Sequence, residues 1–365
     1  MKIAFIGPRM FPAQFNGVSG LEVRVEAVIN YLIKKSGWQI VVFVRQWAQV
    51  KKNNKNNIKI KTIRIWTINN KYLDTIIYSF IASVKVLFLP VTLVCYEGTG
   101  STLFCFLPRL FGKRVITTVH ALEWQRKKWP VAAKLVLKLT ELIALVFSEK
   151  IITVSQEIQT YCLRRRQKAV IFIPYYLRTS KSTVPKIIQR YGLVNQNYIL
   201  YLGRFVPEKR IEWLVNAYRY LQPKQYLVLA GGSSHSHRYV YSLQELADGE
   251  KKIIFTGYVF GREKDELLAN CALFILPSQT EGLSVAVLEA LGHRRPVLVA
   301  DTIDSRGMIR QSRFLFRQND YYDFFKKFRN LLQNSIKTTR LVNYQLSITA
   351  VDFFHRYENT ITKAN

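Results

Sequence analysis

The stretch Leu273-Phe274-Ile275-Leu276-Pro277-Ser278-Gln279-Thr280-Glu281-Gly282-Leu283-Ser284-Val285-Ala286-Val287-Leu288-Glu289-Ala290-Leu291-Gly292 opens apolar, passes through a polar loop and closes in an almost wholly apolar helical pattern. Four apolar residues ahead of Pro277 fit a buried strand, and Gly282 between Ser278 and Ser284 marks a loop. The unit is a strand feeding a helix. Outward from it the same unit recurs. The first half predicts strands at 2–7, 39–45, 58–66, 91–96, 114–119, 150–154 and 169–173, with helices at 21–35, 71–88, 130–149 and 156–164. The second half predicts further strands at 198–202, 226–230, 253–255 and 296–300. Such alternation implies βαβ units and parallel sheets, an α/β fold class.

At 365 residues the chain exceeds one comfortable core, so two domains are expected. The pattern breaks at the polar run Arg178-Thr179-Ser180-Lys181-Ser182-Thr183. This places a first domain at 1–178, a second at 179–345, and a last helix at 346–365 packing back on the first. Ligands of open parallel sheets bind beyond the carboxyl ends of strands, so the loops after strands are where chemistry is sought.

Hydrophobic residues make up 49% and argue against disorder. The start reads as a first strand rather than a secretion signal, which predicts a cytoplasmic protein. Cys95, Cys105, Cys162 and Cys271 are far apart, so reduced buried thiols are expected rather than a disulfide framework or zinc site. The formal net charge is +30, and residues 1–173 hold 27 Lys/Arg against 8 Asp/Glu, a net +19. Anionic lipid and nucleic acid both suit such a surface, as does a generally basic chain without a partner. The most apolar stretch, 72–95, is interrupted by Asp74, Lys85 and Pro90 and reads as a core helix and a strand rather than a membrane span.

Two loops carry candidate chemistry. After strand 198–202 comes Gly203-Arg204-Phe205-Val206-Pro207-Glu208-Lys209-Arg210, with Pro207 suited to a first helical position. Arg204 and Lys209 then flank a helix N-terminus, a natural diphosphate site, although two surface cations on an amphipathic helix would read alike. In the opening stretch, Ser278-x-x-Glu281 also fits a capping box. Glu289, eight positions after Glu281, stands among Val287, Leu288, Ala290 and Leu291, where a carboxylate needs hydrogen-bond donors. Hydroxyls of a sugar or ribose would supply them. His235 and His237 have no third ligand nearby in sequence and read as loop residues.

The Glu-x7-Glu element, with Gly203-Arg204-Phe205-x-Pro207-Glu208-Lys209 upstream, resembles the family-4 class of retaining GT-B glycosyltransferases. Ala230-Gly231-Gly232, Phe255-Thr256-Gly257-Tyr258-Val259 and Pro296-Val297-Leu298-Val299-Ala300-Asp301 extend the likeness. Met1 to Pro12 leading to Gly20-Leu21-Glu22, and His120-Ala121-Leu122-Glu123-Trp124-Gln125-Arg126, are similar to a subgroup that includes bacterial rhamnosyltransferases of surface-polysaccharide synthesis. The resemblance implies two Rossmann-like doubly wound domains facing across a cleft. It implies a nucleotide-sugar donor, a glycan acceptor, often lipid-linked, and no cofactor or metal. By the same resemblance Arg204 and Lys209 hold the donor diphosphate, Glu289 the ribose, and Glu281 with the Gly282 and Leu283 amides the donor sugar. Tyr258 and Val259 fall where the base is contacted, Gly231 beside the phosphates, His120 beside the sugar, and Gly20 and Glu22 in the first-domain loop. The chain departs from the family pattern at Asn16-Gly17-Val18-Ser19-Gly20 and at Thr302-Ile303-Asp304-Ser305-Arg306-Gly307.

An anionic membrane surface on the inner face of the cell membrane is the expected resting place, with helix 130–149 very apolar and Lys134, Lys138 and Glu141 spaced along one side. A helix simply packed on the first-domain sheet fits those residues too. The alternatives are a phosphorylase or synthase of the same fold, a silent assembly partner, and a basic nucleic-acid-binding protein. No nucleic-acid module is present, and no nucleic-acid partner is expected.

Overall fold

The computed structural model describes residues 1–13, 20–48, 59–68, 70, 73–125, 129–165, 169–175, 184–233, 236–279, 284–302, 305–306, 309, 311–333 and 350–362. The chain divides into Met1–Pro174 with Val351–Asn365 as one unit and Tyr175–Ala350 as the other. The division falls four residues before the expected boundary, at Pro174, and the return to the first unit comes at Val351 rather than 346.

The first unit runs β1 (Lys2–Ile6), α1 (Gly20–Ser36), β2 (Gln39–Arg45), β3 (Ile60–Ile65), α2 (Leu73–Leu87), β4 (Leu93–Glu97), α3 (Phe106–Leu110), β5 (Arg114–Val119), α4 (Val131–Phe147), β6 (Lys150–Thr153), α5 (Gln156–Arg165) and β7 (Val170–Phe172). Its seven strands are ordered β3-β2-β1-β4-β5-β6-β7, every neighbour parallel. A parallel strand covered on both faces reads as a continuous apolar run rather than an alternation. That is the pattern of β4, in which all five residues are buried, and of β2, in which all but Gln39 are. Strand 91–96 starts two residues later than expected, at Leu93. The helix expected at 71–88 is α2, and no described helix is long and apolar enough to cross a membrane.

The second unit runs β8 (Tyr198–Leu202), α6 (Ile211–Leu221), β9 (Tyr226–Ala230), α7 (His237–Leu246), β10 (Ile253–Gly257), α8 (Gly261–Asn270), β11 (Leu273–Leu276), α9 (Val285–Gly292), β12 (Val297–Ala300), β13 (Leu315–Phe316) and α10 (Tyr321–Gln333). Its sheet is again all parallel, in the order β10-β9-β8-β11-β12-β13. β13, two residues long, gave no signal in the sequence.

The last helix, α11 (Ala350–Thr362), docks on the first unit through Phe353, Tyr357 and Ile361, each buried. Tyr31 stacks on Phe354 at 4.5 Å, Arg24 lies over the Phe353 ring, and Lys35 pairs with Glu358 at 2.8 Å. Lys150 and Arg114 donate to the carbonyls of Thr360 and Ile361 in its last turn. Both units are thus Rossmann-like α/β sheets, the pair of domains implied by the GT-B resemblance.

Candidate functional site

In each sheet the chain order reverses between two adjacent central strands, and the loops leaving such a pair diverge to form a crevice for ligands. In the second unit that pair is β8 and β11; in the first it is β1 and β4.

Beside the second unit's reversal point the ends of β8, β9 and β10 are laced by backbone. The Gly203 amide donates to the Ala230 carbonyl at 3.0 Å, the Gly231 amide to Gly257 at 2.8 Å, and the Phe205 amide to Gly232 at 2.9 Å. Gly231 has φ +139°, and a Cβ there would stand 1.9 Å from the Gly203 carbonyl oxygen. Only glycine satisfies both conditions. This lacing sets where Arg204 leaves the sheet, with the Tyr201 hydroxyl donating to the Arg204 carbonyl at 2.9 Å. The Arg204 guanidinium has no hydrogen bond or ion pair among the described residues, and its charge acts on the nearby Tyr258 phenol. Burial pushes that phenol above its ordinary value, and the Arg204 charge opposes the shift. Tyr258 in turn lies against Gly232 and near-parallel to Phe260, while Val259 is buried.

The helix expected to begin at Pro207 begins at Ile211. Pro207–Lys209 is a separate 3-10 turn, and Arg210 breaks the helical path in the left-handed region at φ 50°. Such a conformation costs a non-glycine residue on the order of 1 kcal/mol. Stacking of Arg210 over Trp213 at 4.3 Å and its hydrogen bond to Asn319 at 2.8 Å offset that cost. Lys209 therefore sits in the turn and not in the first turn of α6. The carbonyl of Glu208 accepts the Gln279 amide at 2.8 Å and the Ser278 hydroxyl at 3.3 Å. These two bonds bring the loop after β8 against the loop after β11.

That contact also decides the capping-box reading. Ser278 is spent on Glu208, and α9 starts only at Val285, so Ser278 is not the helix cap. Glu281, Gly282 and Leu283 lie outside the described residues, as does His235. His237 is exposed at the start of α7. Glu289 is corrected in one respect: its carboxylate is not left to a ligand for a partner. Lys264 on α8 reaches its Oε1 at 2.5 Å, with the two side chains 20% and 13% exposed. Sequence reasoning missed Lys264 because the pairing crosses two helices with no fixed spacing between them.

In the first unit, Gly7 follows β1 at φ +129°, with a Cβ position 2.2 Å from the Glu97 carbonyl oxygen, so β1 and β4 end in close backbone contact. Gly20 is the first residue of α1, and Glu22 in its first turn is buried and accepts the Arg9 amide at 3.2 Å. His120 follows β5, and its Nε2 lies 2.8 Å from Glu97 Oε2. The other oxygen of Glu97 accepts the Thr118 hydroxyl at 3.2 Å and the Tyr357 hydroxyl at 3.4 Å. Glu97 is 4% exposed, so a buried carboxylate orients His120 and ties the last helix to the strand ends. The sequence reading passed over Glu97, although it stands at a strand end as His120 does.

The structure thus brings Arg204, Lys209, Gly231, Tyr258 and Val259 to one sheet edge, with Glu289 on the helix after the neighbouring strand. Separately, it brings Gly20, Glu22 and His120 to the first unit's edge.

Residues 184–346 match the family model described as glycosyl transferases group 1. The O-antigen chain mannosyltransferase B of Escherichia coli is 30% identical over 130 residues, which is 34% of this chain and 34% of that protein. An uncharacterized glycosyltransferase of Bacillus subtilis, YqgM, is 27% identical over 208 residues, 54% of each chain. The chain therefore spans about a third to a half of the length of these curated relatives. Among solved structures, Anabaena HepE in complex with UDP-glucose is 16% identical with a TM-score of 0.75, covering 99% of both chains, a likeness of fold.

Proposed function

We propose that this chain transfers a sugar from a nucleoside-diphosphate donor to a glycan acceptor, with retention of anomeric configuration and without a metal. The observation that carries the reading is Arg204: a guanidinium with no pairing among the described residues, leaving the glycine-laced end of β8, one of the two strands between which the sheet's chain order reverses. A cation left there has the geometry to meet an anion. The match of residues 184–346 to glycosyl transferases group 1 supports the same reading.

In this reading Arg204 and Lys209 take the diphosphate. As the bond from sugar to phosphate breaks, the leaving group gains negative charge, and cations already in place stabilise it without reorganising. Two such cations do the work a divalent metal would otherwise do, so turnover should survive EDTA. Glu289, steadied by Lys264, accepts from ribose hydroxyls, and the backbone at Gly231, Tyr258 and Val259 borders the base and phosphates. Glu281, Gly282 and Leu283 meet the donor sugar. His120 stands beside the sugar with Glu97 fixing its ring, and Gly20 and Glu22 complete the first-unit loop. The acceptor is a glycan of surface-polysaccharide type, a reading supported by the O-antigen mannosyltransferase among the relatives. Rhamnose is the sugar favoured by the motifs in residues 1–12, 20–22 and 120–126.

The test is thermal unfolding of the purified protein with UDP, GDP, ADP and dTDP, repeated with Arg204→Ala. A ligand at a hundred times its Kd stabilises the fold by about 2.7 kcal/mol. Stabilisation by one diphosphate, lost in the variant, is expected. Stabilisation by none of the four, beside a large salt-sensitive shift with RNA, would overturn the assignment.

A further inference from the structure

α4 is apolar on both its inner and its outer side: Ile143, Ala144, Leu145 and Phe147 pack toward the first unit's core. Its buried residues are Thr140, Glu141, Ala144 and Leu145, while Val131, Leu135, Leu139, Leu142 and Val146 are 49% to 75% exposed. At 3.6 residues per turn these five form one stripe, on the side of the helix opposite the buried one. The inward carboxylate is satisfied: Glu141 accepts the Trp124 indole N–H at 2.9 Å and the Tyr161 hydroxyl at 2.6 Å. An ordinary amphipathic helix would turn polar residues outward where α4 shows this stripe.

The stripe is not isolated. α3 packs on both α2 and α4 and ends in Leu110 and Phe111, which are 70% and 69% exposed, and Phe80 on α2 is 48% exposed. Large exposed apolar surface of this kind marks an interaction site. The exposed charges on α2, α3 and α4 have one sign. Lys85, Arg109 and Lys138 are exposed and Lys134 is half-buried. The two carboxylates of these helices face elsewhere, Asp74 paired with Arg45 and Glu141 buried. Lys134 and Lys138 line a shallow groove with Trp124 and Leu135 at the edge of the stripe, with Lys138 over the Trp124 ring.

We propose that this face of the first unit lies on an anionic lipid bilayer, with the α4 stripe and Phe111 entering the headgroup and acyl boundary and Lys134 and Lys138 meeting lipid phosphates. Apolar side chains in a basic surround are the composition of an interfacial helix. A second copy of the chain is the other apolar occupant, but it would set Lys against Lys and Arg on a chain already at net +30. A bilayer surface offers apolar depth and negative charge together. The proposal does not depend on the transfer reaction, because none of these residues belongs to either sheet-edge site.

The experiment is co-sedimentation of the full chain with phosphatidylcholine vesicles, with and without phosphatidylglycerol. Binding is expected only with phosphatidylglycerol. Leu135→Gln/Leu139→Gln/Leu142→Gln should lower partitioning on the order of a hundredfold without lowering the unfolding temperature, since the stripe makes few contacts to lose. Lys134→Gln/Lys138→Gln should lower it roughly thirtyfold. Should the triple variant fail to fold, an environment-sensitive dye on Leu142→Cys, with the native thiols buried, should shift to the blue on the same vesicles. Equal binding by wild type and triple variant, no binding by wild type, no dye shift, or a dimer that the triple variant dissociates would each overturn the proposal. Nucleoside-diphosphate binding in the same preparations reports on the transfer reading separately.

Discussion

Glu97 shows how a single side chain carries structure and site together. One oxygen orients His120 and the other accepts from Thr118 and from Tyr357 on the last helix. Removing one partner of a buried polar cluster leaves the others without water or protein to bond, at about 3–5 kcal/mol when the missing group is an ion. Glu97→Ala should therefore lower stability by about that amount in urea unfolding. Glu97→Gln, which keeps both an acceptor and the shape, should cost about 1–2 kcal/mol. Equal losses in the two variants would show that the carboxylate itself, and not the volume or the single acceptor that glutamine keeps, is what matters. The same comparison explains what the sequence could tell at this scale. That Arg204 and Lys209 follow the end of β8 was legible because the apolar strand and Gly203 mark that edge, while the turn that carries Lys209 was not. Glu97 and Lys264 were not, because their roles arise from partners 23 and 25 residues away across the fold.

Among the elements, most of both sheets were legible: β2, β5, β8, β9 and β11 begin and end where the apolar runs do. Misreadings fall where backbone geometry overrides pattern, as at Arg210, whose left-handed conformation delays α6 by four residues. α8 was not among the helices read from the sequence, and neither was its anchoring role. Glu266 on this helix is fully buried, and its Oε2 accepts the amides of Lys186, Ile187 and Ile188, with Arg262 on Oε1. Burial pushes its carboxyl up, but the three backbone donors and Arg262 together hold it below the ordinary value. A carboxyl lowered in the folded state contributes stability that is full above its unfolded value, about 4.3. That contribution is lost as pH falls through that value toward the folded one. Glu266→Gln should flatten this acid limb of the stability curve, and Glu266→Ala should cost about 2–4 kcal/mol at neutral pH by orphaning three amides. A wild-type acid limb in the glutamine variant would assign the limb to other carboxylates. α11 gives a second element-scale outcome. Phe353→Ala, which empties a fully buried position under Arg24, should destabilise the first unit by about 3–5 kcal/mol, measured by urea unfolding. A change under 1 kcal/mol would mean that the helix does not depend on that anchor.

Over the whole molecule the dominant fact is charge. There are 54 Lys and Arg against 24 Asp and Glu, so even if every carboxylate were paired, 30 cations would remain without one. Those surplus charges repel, and the repulsion favours any state that spreads them farther apart. Ion pairs among the described residues pull the other way. Several, such as Arg306–Asp301, Arg317–Asp320 and Arg190–Glu263, have an arginine more than half exposed. Exposed pairs contribute about 0–1 kcal/mol and weaken with salt. Screening therefore removes a small attraction and a larger repulsion. Raising sodium chloride from low concentration, where the screening length is about 30 Å, to molar concentration, where it is about 3 Å, should raise the unfolding temperature. Each kcal/mol recovered should appear as a rise of about 2–4 °C in a chain built of domains this size. The measurement is calorimetry across a chloride series, with sodium sulfate kept out because it also strengthens apolar burial. A flat or falling series would mean that the cations are spaced too widely to repel, and would remove the energetic case for an anionic surface as their counterpart.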